Sequence, residues 1–261
     1  MRTYRVLLCF LVCCAASAAQ QNDALRRVEK LSSDEIVARV AENNRRRQQE
    51  LQSYTSQREY HLLYTGLGGR HEADLVVDVK YRFPDSKDFT IVSESGSHVI
   101  VNRVFKKILE TEKEAASQES QAATALTDRN YQFELLGEQD VDGRMAYVFH
   151  VEPRTQNRLL YRGRIWIDAA DFALCKVEAE PAKHPSLWIS KVEVHHIYAK
   201  IGDFWLPTQN ESNTDVRIGG HAILSIQYRD YKVVPELNSV SATQAERTRQ
   251  AASLTLEGES R

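Results

Sequence analysis

The segment "GRIWIDAADFALCKVEAEP", residues 163–181, brings Trp166, Asp168, Asp171 and Cys175 close together. Aspartates can exchange protons and a cysteine can act as a nucleophile, so the first question is whether they are placed to do so. Arg164, Trp166 and Asp168 share one phase of a two-residue alternation, Ile165 and Ile167 the other, and "DAAD" supplies turn-forming residues between two such runs. That is the pattern of a hairpin, with the carboxylates of Asp168 and Asp171 bonding nearby backbone amides. Cys175 alternates with Ala173 and Val177 and has no helix N-terminus or basic cluster beside it in sequence, so it reads as a small core residue. His195 and His196 are adjacent; on a strand they point to opposite faces, one buried and one wet, and cannot both ligate one metal. "GLGG" precedes a strand rather than a helix and is a hairpin loop, not a phosphate cradle. "DVDG" lacks the further acidic positions of a calcium loop. With no "GxSxG", "HExxH" or P-loop, the sequence points to no catalytic residue, no metal and no cofactor. A hydrolase using Asp168 or a histidine is kept as a third reading.

The elements that would position any site are mostly strands. "LSSDEIVARVAENNRRRQQELQSY" opens as a helix: Ser32 caps it, Glu35 completes a capping box, and Leu31 and Ile36 stand at staple spacing. Its apolar face is Ile36, Val37, Val40 and then Leu51, while "NNRRRQQE" is a solvated face. From Tyr54 the period changes to two. Tyr54, Tyr60, Leu62 and Tyr64 share a side, and in "EADLVVDVKYRF" Ala73, Leu75, Val77, Val79, Tyr81 and Phe83 face one way while Glu72, Asp74, Asp78, Lys80 and Arg82 face the other. After a strand in "FTIVSESGS", "VIVNRVFKKILETEKEAASQ" places Val101, Val104, Phe105, Ile108 and Leu109 at helical spacing, and the polar stretch to about Arg129 extends the helix or forms a loop. Strands resume in "YQFELLGEQDVDGRMAYVFHVEP" and continue to "AILSIQYRDYKVV", where Ala222, Leu224, Ile226 and Tyr228 line a dry face. The expectation is a mainly β fold with a few helices (α+β): about ten strands and two helices in one domain.

The N-terminus has the three parts of a secretory signal peptide: basic "MRTYR", apolar "VLLCFLVCCAA" and small residues before position 20. This divides the chain into a leader over 1–19, a domain over 20–235 and a polar, loose tail over 236–261. Cys9, Cys13 and Cys14 leave with the leader, so only Cys175 remains and no internal disulfide can form. The formal charge is −2 over 261 residues, and losing Arg2 and Arg5 takes it to −4. No basic patch argues for nucleic acid.

The order of "WID", "FWLP" and "YRDY" within "GRIWIDAADFALCKVEAEP", "HPSLWISKVEVHHIYAKIGDFWLPTQNES" and "RIGGHAILSIQYRDY" resembles bacterial outer-membrane lipoprotein-sorting proteins of the LolA-like superfamily, over residues 30–235. The resemblance implies an incomplete antiparallel β-barrel covered by helices, with an apolar cavity for acyl chains. It further implies an exported, periplasmic, non-catalytic carrier of lipid or lipoprotein. A monomer is expected. The alternative on the same fold is an envelope sensor that docks on a membrane-protein partner. The candidate cavity residues are Tyr60, Leu62, Tyr64, Leu75, Val77, Val79, Tyr81, Phe133, Tyr147, Phe149, Leu224 and Ile226. The residues alone leave open whether these line a cavity or fill the sheet with their own rings. No local motif selects the family's lid-closing arginine, Arg58 being one of several available.

Overall fold

The structure is a computed structural model that describes residues 31–183, 189–217 and 219–235. The expected leader and tail, and residues 184–188 and 218 within expected strand and turn segments, lie outside the described residues. The chain divides into two compact units, Met1–Ile36 and Val37–Arg261. In the first, the expected capping box is formed: the Ser32 amide donates to Glu35 Oε2 at 2.8 Å and the Glu35 amide to Ser32 Oγ at 3.3 Å. Helix α1 (Ser33–Glu50) starts there, with acidic Asp34 and Glu35 in its first turn and Arg47 in its last, as the helix dipole favours. It ends one residue before Leu51, which opens a strand and is not part of the helix's apolar face.

The second unit carries ten strands: β1 (Leu51–Gly66), β2 (Gly69–Arg82), β3 (Ser86–Gly96), β4 (Tyr131–Val141), β5 (Arg144–Pro153), β6 (Tyr161–Asp168), β7 (Ala173–Pro181), β8 (Ile189–Ile201), β9 (Phe204–Val216) and β10 (Gly220–Pro235). They form one antiparallel sheet in the order β3-β2-β1-β10-β9-β8-β7-β6-β5-β4. The first and last strands pair, so every consecutive pair is a neighbour except β3 and β4, which are the two edges. Between those edges runs the helical segment: a π-helical turn (Ile100–Phe105), α2 (Lys106–Ala115) and α3 (Gln118–Thr124). The sheet is therefore a meander left open at one place, an incomplete barrel whose missing seam coincides with its helices. Tight turns keep the meander in register. At the β4–β5 turn, Asp142 and Gly143 both take positive φ (51° and 81°), the turn that matches strand twist.

Cross-strand partners share a face, so the register defines the inner wall. Tyr54 lies opposite Tyr81, Tyr60 opposite Leu75, Leu62 opposite Ala73, and Ile226 and Leu224 of β10 opposite Tyr60 and Leu62. These pack with Val77 and Val79 against Ile100, Val101 and Phe105, with Ile108 and Leu109 at the margin. Each fully buried aliphatic side chain here contributes about 1.5 to 3 kcal/mol through removal from water. The single expected helix is divided: residues 100–105 are π-helical, and the Lys106 amide bonds the Val101 carbonyl five residues back. The wider turn brings Phe105 onto the seam with Val101 and carries Val104 away from it, 37 % exposed.

A second wall is formed by Phe133, Phe149, Ile165 and Ile167, covered by Val37 and Val40 of α1 and by Leu126, with only about 10 Å³ between them. That is scarcely room for one water. Strands β5–β7 are also buried on their other face, where Ala146, Val148, Trp166 and Cys175 cluster with Val141 and Trp205. Trp166 pairs with Lys176 and Ile167 with Leu174, so Cys175 is the extra residue of a β-bulge. The bulge sends Cys175 to the Trp166 side while Val177 faces Ile165, a departure from the unbroken alternation read in the sequence.

Candidate functional site

Seven of the twelve candidate cavity residues meet in one cluster: Tyr60, Leu62, Leu75, Val77, Val79, Tyr81 and Ile226, with Tyr64 and Leu224 packed against it. Phe133 and Phe149 belong to the wall beneath α1. Tyr147 stacks on Phe172, ring centroids 6.3 Å apart. The strands thus present two apolar walls rather than one, and each is occupied by helix.

On the first wall, the phase that turns Tyr54 and Tyr60 inward also turns Ser56 and Arg58 inward. Arg58 is 1 % exposed, the largest charged side chain in the core. Its guanidinium lies over the Tyr228 ring at 4.7 Å and the Phe89 ring at 5.7 Å. Its ion partner is Glu112 of α2, bonded through Nη1 to Oε2. Lys87 of β3 donates to the same oxygen at 3.0 Å, and the Tyr60 hydroxyl donates to Oε1 at 3.0 Å. Burial alone would raise the Glu112 carboxyl, but Lys87 and Arg58 together hold it down at about 2. Burial alone would likewise lower Arg58, and Glu112 reverses that, holding it well above its ordinary value. Two buried polar atoms here have no partner among the described residues, Arg58 Nε and Ser56 Oγ. The α2 cover is thus pinned to the sheet by one carboxylate inside an otherwise apolar contact.

Further round the inner face the lining becomes polar. Tyr60 pairs with Ile226, Ile226 with Asn210 and Asn210 with His196, so all four point inward; Ser212 and Thr214 follow Asn210 in the same phase. β9 is polar on both faces from Thr208 to Asp215 and buries no residue after Leu206. His196 packs edge-on to Tyr161 at 5.5 Å and tilted to Tyr198 at 6.4 Å. Burial pushes the His196 imidazole down to about 4, so it is neutral, and pushes the Tyr161 phenol up to about 12. These neutral hydrogen-bonding groups are half-buried rather than sealed. His195 faces the other way, opposite Glu211, and is also half-buried, so the pair is not divided into one buried and one wet residue.

The residues first considered for chemistry are held structurally. Asp168 is buried; its Oδ1 accepts the amides of Ala170 at 3.1 Å and Asp171 at 2.7 Å, and both oxygens accept from Arg144. Asp171 accepts from Lys200 at 2.9 Å and from Trp205 Nε1 at 3.0 Å. Asn43 and Arg47 of α1 donate to the Asp171 carbonyl, fastening the helix to this turn. A polar cleft of about 230 Å³ opens beside them, but its cations Arg46, Arg47 and Lys200 are engaged by Glu50, the Asp171 carbonyl and the Asp171 carboxylate. Burial and Asp168 push the Cys175 thiol up to about 11, and its Sγ donates to the Trp166 carbonyl at 3.3 Å. On the outer face of β1 and β2, ligand atoms of His61, Glu72 and Asp74 lie within 4.8 Å of one another. Glu72 and Asp74 are exposed and His61 is half-buried; His61 Nδ1 is 2.8 Å from Asp74 and Arg70 holds Glu72 at 3.1 Å, an arrangement that serves as surface ion pairing. Among the described residues no helix is long and apolar enough to cross a membrane.

A family described only as of unknown function, DUF5686, matches residues 124–231. No curated protein matches the chain. Similar solved structures include a DUF1329 family protein from Desulfovibrio piger ATCC 29098, at 14 % identity over 78 % of this chain and 93 % of that one, with a TM-score of 0.37. A putative outer membrane lipoprotein-sorting protein domain from Vibrio parahaemolyticus is 12 % identical over 77 % and 93 %, TM-score 0.36. A LolA superfamily protein from Nitrosomonas europaea is 12 % identical over 78 % and 94 %, TM-score 0.31. The expected incomplete antiparallel barrel with helices is what the strand order itself shows, ten strands open between β3 and β4. At these identities the likeness concerns architecture and assigns no residue a role. The residue that sequence reading did not single out is Arg58. Its phase with Tyr54 and Tyr60 is the signal that selects it among the arginines.

Proposed function

We propose that this chain is a non-catalytic carrier of lipid or lipoprotein acyl chains, exported to the bacterial envelope, and that it binds them on the inner wall of β1, β2 and β10. One observation carries the reading: an apolar wall of strand residues is covered by a separate helical segment, pinned at Glu112, instead of by a second sheet. Because Ile100, Val101 and Phe105 occupy the wall, uptake requires the cover to move and an acyl chain to replace those side chains. The exchange is balanced, since apolar surface is covered before and after. Export rests on the three-part leader. The test is mass spectrometry of organic extracts of the purified full chain. Stoichiometric acyl lipid supports the carrier; protein free of lipid that also takes up no fluorescent fatty-acyl probe overturns it.

A further inference from the structure

Besides an exposed pair between Arg158 and Glu114, the side-chain hydrogen bonds that join α2 to the strands have an asymmetry. All three donors belong to the sheet, Arg58 and Tyr60 on β1 and Lys87 on β3, and the single acceptor, Glu112, belongs to the cover. Lifting α2 away would leave on an apolar wall two cations and a phenol converging on the place where a carboxylate had been. We infer that Arg58, Tyr60 and Lys87 form a carboxylate-binding site, that Glu112 fills it as an internal plug, and that the ligand admitted beneath the cover is an acidic amphiphile, a long-chain carboxylate whose head group takes the place of Glu112. This inference rests on the carrier reading and specifies its ligand.

Three further observations support it. The cluster holds two cations and one anion, and the nearby inward-facing groups His196, Tyr161 and Tyr228 are neutral. A displaced Glu112 therefore leaves two buried or half-buried positive charges, which a carboxylate compensates and an alcohol does not. Glu112 is also an incomplete fit: it reaches Arg58 through Nη1, while Nε, a donor on a side chain 1 % exposed, has no acceptor among the described residues. A carboxylate free of a helix backbone can lie side-on to Nε and Nη together, the bidentate geometry that guanidinium favours. Finally, Val77 lies opposite Arg58 and Leu75 opposite Tyr60, so an acyl tail leaving the head group would run directly along the wall that Ile100, Val101 and Phe105 now cover.

The experiment is equilibrium dialysis of the full chain at pH 7.5 against oleate and oleyl alcohol, which share a tail and differ in head group. Wild type is expected to prefer oleate by about tenfold or more. Lys87→Met is expected to reduce that preference severalfold without abolishing alcohol binding, whereas Lys80→Met, which removes an outward-facing charge, leaves it unchanged. Glu112→Gln, which retains an acceptor oxygen and so keeps the cover seated, is expected to raise oleate affinity about tenfold by removing the charged plug. Equal binding of oleate and alcohol by wild type, or a preference that survives Lys87→Met, overturns the head-group site while leaving the carrier standing. Oleate affinity unchanged by Glu112→Gln overturns the plug. If no variant binds either compound, the carrier reading falls and this inference with it.

Discussion

Arg58 takes a positive charge into a wall of aliphatic and aromatic side chains, and it is tolerated because Glu112 and two flanking rings compensate its lost hydration. Arg58→Ala is expected to cost about 3 to 5 kcal/mol in a urea melt, because it removes one of the two cations that compensate Glu112 inside the contact. Acid should reach the same bond from the other side. Glu112 is depressed from an ordinary 4.5 to about 2, so its contribution to stability is complete above about pH 4.5 and is lost as pH falls towards 2. Wild type should lose more stability than Glu112→Gln between those values; identical acid profiles would contradict the assignment. Cys175, with its thiol raised to about 11, should label slowly in the folded chain and quickly in denaturant. The core placement of Cys175 and the backbone-amide bonds of Asp168 were readable from residue type and turn chemistry. Arg58 was readable only in phase: its position alternates inward with Tyr54 and Tyr60, but charged residues are rarely buried, and its partner lies 54 residues away.

Strands were the most legible elements, because one face of β2 is charged at every other position except Val76 and the other face carries no charge. The helical segment was less so. Val104 fits an α-helical stripe in sequence, and only the π turn, which depends on how Ile100, Val101 and Phe105 seat on the sheet, excludes it. The bulge at Cys175 is similarly invisible to alternation, since it is set by the pairing of β7 with β6. The wall itself can be tested on β2. Val77 is fully buried and packed, so Val77→Phe overfills the contact and is expected to cost about 1 to 3 kcal/mol. Outward-facing Asp78→Asn should stay within about 0.5 kcal/mol, because asparagine keeps the Oδ1 that accepts the exposed 3.1 Å bond from Gln57. A packed wall that accepts phenylalanine without loss would mean that the cover already stands open.

Across the second unit, ten strands make a cycle broken between β3 and β4, and the chain that would have closed it instead supplies the cover. A helical segment held by a small apolar seam, one buried ion-paired carboxylate and an exposed Glu114–Arg158 pair is the part of such a fold that can leave without unfolding the strands. The polar run of β9 lays a stripe of Asn210, Ser212 and Thr214 along the inner face between the two apolar walls, with His196, Tyr161 and Tyr198 packed beside it. The central claim is that the ligand binds where the cover now sits. Hydrogen exchange followed by mass spectrometry, with and without a saturating fatty-acyl probe, tests it most directly. Exchange across 100–115 is expected to quicken on binding, with β1 and β2 as protected as before. Saturable binding that leaves 100–115 unchanged, or protects it further, would mean that the ligand does not bind beneath the cover.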